Sequence, residues 1–342
     1  MNVLIVKIGA IGDAVMALSM LDVLFRESSN ARVTWVCGKT IEPLLQAFGK
    51  INEIIVLDDV KLLTGNSFEK ATVIVTLWTR LFGRRFDLVV TAHPDSRYRW
   101  LSLPVLGKVR RVFRRDGRRT EPVPGRFHPD EYVRLVTGVD GPNALKARIP
   151  ELRCALPEFL SPFFEGATQL VALAPGGAKN ILRDDALRRW PIERYAAVCE
   201  MLLNSGVQVV LTGSSTDKWV CDSFKGLAVV DLIGKLSLPD LVAVYGSCDL
   251  VVTHDSGPLH LAALAGAPVL GLFGPTNPHE KLSLNGRNRM LWGGDDLPCR
   301  PCYDGKDYAN CPRNLCMHDI SVERVYREAL QLLERGNVRK SI

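Results

Sequence analysis

The segment Asp255-Ser256-Gly257-Pro258-Leu259-His260 puts a carboxylate, a hydroxyl, a glycine, a proline and an imidazole side by side. It lies between an apolar run at 249–253 (DLVVT) and a small-residue stretch at 261–266 (LAALAG), the pattern of a strand turning sharply into a helix. Pro258 suits the first helical turn, where its missing N–H would be unpaired anyway. Ser256 and Gly257 leave backbone N–H groups uncovered at the positive end of that helix, which attracts phosphate, and His260 one turn in adds a donor. The plainer alternative is an ordinary turn with Asp255 as N-cap.

A second carboxylate opens the chain. Gly9-Ala10-Ile11-Gly12-Asp13 follows an apolar run and starts a helix. It is not G-x-G-x-x-G, and Asp13 places negative charge where a dinucleotide would need its pyrophosphate. The loop therefore presents a carboxylate rather than a cofactor cradle, and the helix dipole favours its ionised form, as a proton acceptor requires. Plain capping of the helix is the competing reading.

Three further polar loops end consecutive strands in the second half. Pro175-Gly176-Gly177-Ala178-Lys179-Asn180 is a glycine-rich turn that lets a ligand approach closely. Arg183, Arg188 and Arg189 precede a helix, where arginine can neutralise a diphosphate with paired hydrogen bonds. Thr212-Gly213-Ser214-Ser215-Thr216-Asp217 brings hydroxyls and a carboxylate suited to a ribose. Together they point to a nucleotide-sized ligand.

On the other side, Arg110, Arg111, Arg114, Arg115, Arg118 and Arg119 crowd together, with Arg84 and Arg85 upstream, and His93-Pro94-Asp95-Ser96-Arg97 ends a strand. An anionic acceptor fits this face, and so does attraction to a membrane surface. Nucleic acid is disfavoured, because no aromatic stacking pattern or binding motif accompanies the arginines. Cys299, Cys302, Cys311 and Cys316 form a compact set with x2, x8 and x4 spacings. Such pairs suit tetrahedral sulfur coordination of a structural zinc or iron, and four reduced thiols are the alternative.

These groups need elements to position them. Short apolar strands at 3–8, 32–36, 53–57, 87–91 and 109–113 alternate with helices at 14–25, 41–48 and 68–82. The pattern breaks from 138 to 164 and restarts with strands at 170–174 and 207–212 and helices at 192–204, 217–225 and 238–246. The reading is two doubly wound α/β domains, 1–150 and 151–320, with a helix in 321–342 packing back, and with ligands in a cleft at the strand carboxyl ends. At 342 residues, 47% hydrophobic and 23% charged, the composition is that of a soluble globular protein. With a net charge of only +6, the clustering of arginine matters more than its sum. Residues 1–7 lack a charged n-region and a cleavage site, so a cytosolic location is expected.

The start at 4–13 (LIVKIGAIGD), Arg188-Arg189-Trp190-Pro191, and Asp255–His260 running into Phe273-Gly274-Pro275-Thr276 resemble glycosyltransferase family 9, the lipopolysaccharide heptosyltransferases and their relatives. The resemblance implies a GT-B fold of two Rossmann-like domains facing a central cleft, acceptor on the first and sugar nucleotide on the second. It implies inverting transfer from an ADP-heptose-like donor to an anionic glycolipid at the inner face of the cytoplasmic membrane, without a catalytic metal. Asp13 falls at the family's base and Arg188 at its leaving-group cation. Gly176, Gly177, Arg188, Asp217, Leu236, Asp255, Ser256, Gly257 and His260 fall on the donor side, with Leu236 at the adenine pocket. Gly12, His93, Asp95 and Arg97 fall on the acceptor side. A related branch binds iron through a cysteine-bearing loop. The chain departs from the family in carrying Arg188 where lysine is common, Ser256 where threonine is frequent, and a longer insert at 179–187. An epimerase of the same architecture and a non-catalytic nucleotide-binding protein are the rival readings.

Overall fold

The computed structural model describes residues 1–116, 119–141, 144–164, 166, 168–284, 286–304 and 307–340. The chain divides into two compact units, Met1–Pro150 with Asn180–Arg183, and Glu151–Lys179 with Asp184–Ile342. In the first, β1 (Asn2–Val6), α1 (Ile11–Ala17), α2 (Ser19–Glu27), β2 (Arg32–Gly38), α3 (Glu42–Phe48), β3 (Glu53–Leu57), α4 (Asp59–Thr64), α5 (Ser67–Leu81), β4 (Arg85–Thr91) and β5 (Leu106–Val112) follow one another. A small ribbon of β6 (Arg115–Asp116) and β7 (Arg119–Thr120) precedes α6 (His128–Thr137). The five main strands pair in parallel in the order β3-β2-β1-β4-β5. With helices covering both faces, β1 is a continuous apolar run rather than an alternating one.

Two elements differ from the sequence expectation. The stretch read as one helix at 14–25 is broken after Leu18, where the Ser19 hydroxyl donates to the Met16 carbonyl at 2.7 Å and the Pro129 carbonyl at 3.2 Å. Helix α6 has no counterpart in the sequence reading, because an acidic residue sits on its buried face. Glu131 is 1% exposed and is held by Arg134 at 3.2 Å and by the Val123 N–H at 3.0 Å.

In the second unit β8 (Leu170–Ala174), α7 (Ile192–Asn204), β9 (Gln208–Leu211), β10 (Val230–Asp231), α8 (Leu238–Ser247), β11 (Leu250–His254), α9 (Gly257–Leu264), β12 (Val269–Phe273) and β13 (Arg289–Trp292) lead to α10 (Leu315–His318) and α11 (Val322–Lys340). The parallel order is β10-β9-β8-β11-β12-β13. The helix expected at 217–225 is a 3-10 helix, Ser215–Phe224. Val325, Ala329, Leu332 and Leu333 of α11 join the core around β8, β9 and β11. Trp190 is buried in the same core and donates its indole N–H to the Ile320 carbonyl at 3.0 Å.

In each sheet the strand order reverses beside the first strand, between β1 and β4 and between β8 and β11. Connections leave such a point toward opposite faces and open a crevice at the carboxyl ends of the strands. The loops at 9–13 and 92–97 follow β1 and β4, and those at 175–180 and 255–256 follow β8 and β11. The topology thus puts most of the polar loops picked out from the sequence at the ends where ligands bind.

Candidate active site

In the first unit Asp13 stands in the first turn of α1 but does not cap it. The N-cap position is Ala10, without a side-chain cap. The Asp13 carboxylate instead meets the ammonium of Lys7 at 3.1 Å. Lys7 is almost fully buried and lies 5.6 Å over the Tyr132 ring of α6, whereas the Asp13 side chain is 45% exposed. A buried cation therefore fixes a carboxylate that solvent and ligand can still reach. Gly12 precedes it in the same turn, half-buried.

His93, expected on the acceptor side, makes contacts within the first unit. It is buried, stacks on Tyr98 at 3.9 Å, and its Nε2 accepts the Ile8 N–H at 3.0 Å. Burial and the nearby Lys7 hold its pKa well below the ordinary value, so the ring is neutral with its proton on Nδ1. Its hydrogen bond braces the Asp13 loop and leaves no Nε2 for an acceptor. Asp95 and Arg97 are paired to each other at 2.6 Å, and Asp95 also caps the helix at Ser96–Ser102 through the Arg97 N–H at 2.9 Å. The hydrogen bond from Arg97 holds Asp95 below the usual carboxylate range.

In the second unit, Asp255 is 2% exposed at the end of β11. Burial opposes its charge, yet Arg188, Lys281 and His260 hold its pKa below the ordinary value. Ser256, not Asp255, occupies the N-cap of α9, and its hydroxyl turns back to the His254 carbonyl at 3.3 Å. No side chain caps the first turn of α9. His260 is buried in that helix. The Arg188 guanidinium has NH1 3.5 Å from Asp255 and NH2 3.7 Å from Asp185, and its side chain is 18% exposed. Burial works against it, but Asp255 raises its pKa above the ordinary value.

The glycine turn after β8 is braced from behind. Asp217 accepts the Gly177 N–H at 2.8 Å on Oδ1 and the Ser214 N–H and hydroxyl at 2.8 and 2.7 Å on Oδ2. Arg189 donates to the Gly177 carbonyl at 2.9 Å. A Cβ on Gly176 would come 2.6 Å from the Asp217 carboxyl carbon, and Gly177 has φ +82°, so glycine is required at both places. Asp217, read from the sequence as a ribose contact, thus accepts three hydrogen bonds from two loops. Leu236 is half-buried just before Ser237, the N-cap of α8.

Residues 161–311 match the family model described as glycosyltransferase family 9 (heptosyltransferase). The lipopolysaccharide core heptosyltransferase OpsX of Haemophilus influenzae is 24% identical over 84% of this chain and 83% of its own length. The chain carries a glycosyltransferase family 9 domain. Among solved structures, a family 9 glycosyl transferase from Veillonella parvula superposes with a TM-score of 0.77 at 20% identity, covering 98% of this chain and 97% of that one. The Escherichia coli heptosyltransferase WaaC with ADP-2-deoxy-2-fluoro heptose superposes at 0.70 with 16% identity, covering 97% and 99%. The fold is GT-B, and the protein is a glycosyltransferase.

Two side-chain clusters of this glycosyltransferase were singled out from the sequence. Cys299, Cys302, Cys311 and Cys316 line one cavity of about 160 Å³. Among the described residues, however, no three His, Cys, Asp or Glu side chains are grouped so as to hold a metal ion. All four are free thiols, and burial raises the pKa of Cys302 and takes that of Cys316 up to about 11. In the arginine-rich stretch, Arg84, Arg110 and Arg111 have partners within the fold. Arg84 pairs with Glu53 at 2.5 Å, Arg110 donates to the Ser102 and Val105 carbonyls at 3.0 and 2.5 Å, and Arg111 donates to the Val136 carbonyl. Arg118 lies outside the described residues.

Sequence reasoning missed Lys7, Tyr303 and Tyr308 of this glycosyltransferase. A lysine inside the apolar run VLIVKI was a usable signal, because a charge there must be paired. The tyrosines gave no comparable signal beyond flanking the cysteines.

Proposed function

We propose that this glycosyltransferase moves a heptose from an ADP-heptose-like donor to an anionic saccharide of the lipopolysaccharide core, with inversion at the anomeric carbon. The observation that carries the reading is the buried Asp255–Arg188 pair beside the uncapped first turn of α9 and the braced glycine turn. Such an arrangement suits a diphosphate: backbone N–H groups and a guanidinium neutralise it, and a buried carboxylate keeps the guanidinium charged and aimed. The nucleotide bound in the structure of WaaC supports an ADP donor.

In this reading the second unit holds the donor, with the diphosphate on Gly176, Gly177, Ser256, Gly257, His260 and Arg188 and the adenine against Leu236. The first unit holds the acceptor near Gly12, Asp95 and Arg97. Asp13 takes the proton from an acceptor hydroxyl as its oxygen bonds to the anomeric carbon. The bond from that carbon to the diphosphate oxygen breaks, and Arg188, His260 and the α9 backbone stabilise the departing charge. These steps draw on side chains and backbone alone.

A cytosolic enzyme touching the inner face of the cytoplasmic membrane fits such an acceptor. Exposed Phe82, Trp100, Leu103 and Leu106 of the first unit lie close together beside exposed Arg99, a surface suited to lipid headgroups and not to nucleic acid. Among the described residues no helix is long and apolar enough to cross a membrane.

Calorimetry with ADP, UDP, GDP and CMP tests the donor. ADP should bind at least about tenfold more tightly than the others, a difference of about 1.4 kcal/mol. A preference for UDP or GDP would contradict the ADP-heptose reading.

A further inference from the structure

The Arg188 guanidinium is held on a third side by a loop that the reaction scheme leaves unused. Its Nε donates to the Tyr308 hydroxyl, and its carbon sits 5.1 Å over the Tyr303 ring and 5.6 Å over the Tyr308 ring. The two rings lie 4.7 Å apart and their backbones form an antiparallel bridge. This loop is pinned to the end of β12, where the Cys302 and Tyr303 N–H groups donate to the Pro275 carbonyl at 3.0 and 3.2 Å. Strand β12 is the sheet neighbour of β11, which ends at His254, just before Asp255. The cysteine-bearing loop thus reaches the anion site through two aromatic side chains rather than through its thiols.

We propose that Tyr308 is a positioning residue for transfer: its hydroxyl takes Arg188 Nε, so that the guanidinium presents NH1 and NH2 to the donor diphosphate. A guanidinium has a fixed planar fork, and fixing Nε fixes the direction of the other two nitrogens. Carboxylates alone, at 3.5 and 3.7 Å, hold it only loosely. The stacked rings restrict rotation about the long side chain and lower the entropy lost when the diphosphate binds. The inference rests on the assignment of Arg188 to the diphosphate.

A double-mutant cycle read by calorimetry with ADP, and with inorganic pyrophosphate as a second probe, tests it. Tyr308→Phe should weaken ADP about tenfold to hundredfold, the loss expected for one hydrogen bond to a charged group, while the melting temperature stays within a few degrees. In an Arg188→Lys background, which lacks Nε, the same Tyr308→Phe change should have no further effect. An undiminished ADP affinity in Tyr308→Phe, or an equal loss in both backgrounds, overturns the proposal. Arg188→Met separates the two claims. If it binds ADP as the parent does, the diphosphate assignment itself fails. If it binds ADP weakly while Tyr308→Phe binds normally, only the positioning role fails.

Discussion

Asp217 shows how one carboxylate can brace two loops. Its two oxygens take up three donors from two loops. Removing the carboxylate strands those donors at a site only 4% exposed. Each unsatisfied buried donor costs about 1–3 kcal/mol. Asp217→Ala should therefore lose about 3 kcal/mol of stability in urea unfolding and, because the Gly176–Gly177 turn loosens, about tenfold in ADP affinity. Asp217→Ala with unchanged ADP binding would mean that the turn does not need its brace. At this scale the sequence indicated residue types better than roles. The charges of Asp13, Arg188 and Asp255 stood out in the sequence beside apolar or small-residue stretches, whereas the hydrogen bonds that His93 and Asp217 accept from backbone N–H groups leave no trace in composition.

At the scale of elements, β11 carries a second consequence of burial. His254 ends the strand, fully buried, with Nδ1 3.2 Å from the Tyr195 hydroxyl. Burial, with Arg189 and Arg188 nearby, lowers its pKa to about 3 against the partial opposition of Asp255 and Asp217. The unfolded chain binds a proton on this residue near its ordinary value of 6.5, and the folded chain does not until about 3. Stability on this account is complete above pH 6.5 and falls as pH drops toward 3, with a slope up to about 1.4 kcal/mol per pH unit. Thermal unfolding of the full chain between pH 7 and pH 5 should show this decline, and His254→Gln should flatten it. An unchanged slope in the variant would place the sensitivity elsewhere. The elements themselves were readable where burial on both faces makes strands continuously apolar, as in β1, β8 and β11. They were not readable where a local hydrogen bond or a buried charge overrides periodicity, as at Ser19, at Glu131 and in the 3-10 helix at Ser215–Phe224.

Across the whole molecule, two parallel sheets with the same reversal of strand order carry the Asp13 loop in one unit and the glycine turn and the start of α9 in the other. That division was legible because the alternation of strand and helix stops and restarts. The nearness of the four cysteines was legible too, since all of them line one cavity. The central claim is that both units serve one transfer reaction, with Asp13 as base. The most direct measurement is acceptor-dependent ADP release from ADP-heptose on a keto-acid-bearing core glycolipid, for the full chain and for Asp13→Asn, alongside calorimetry of ADP. The account predicts that Asp13→Asn loses about 10²–10⁴-fold in turnover, the range for general-base catalysis, with ADP affinity unchanged. Near-normal turnover in Asp13→Asn, or ADP release that does not depend on the acceptor, would contradict it.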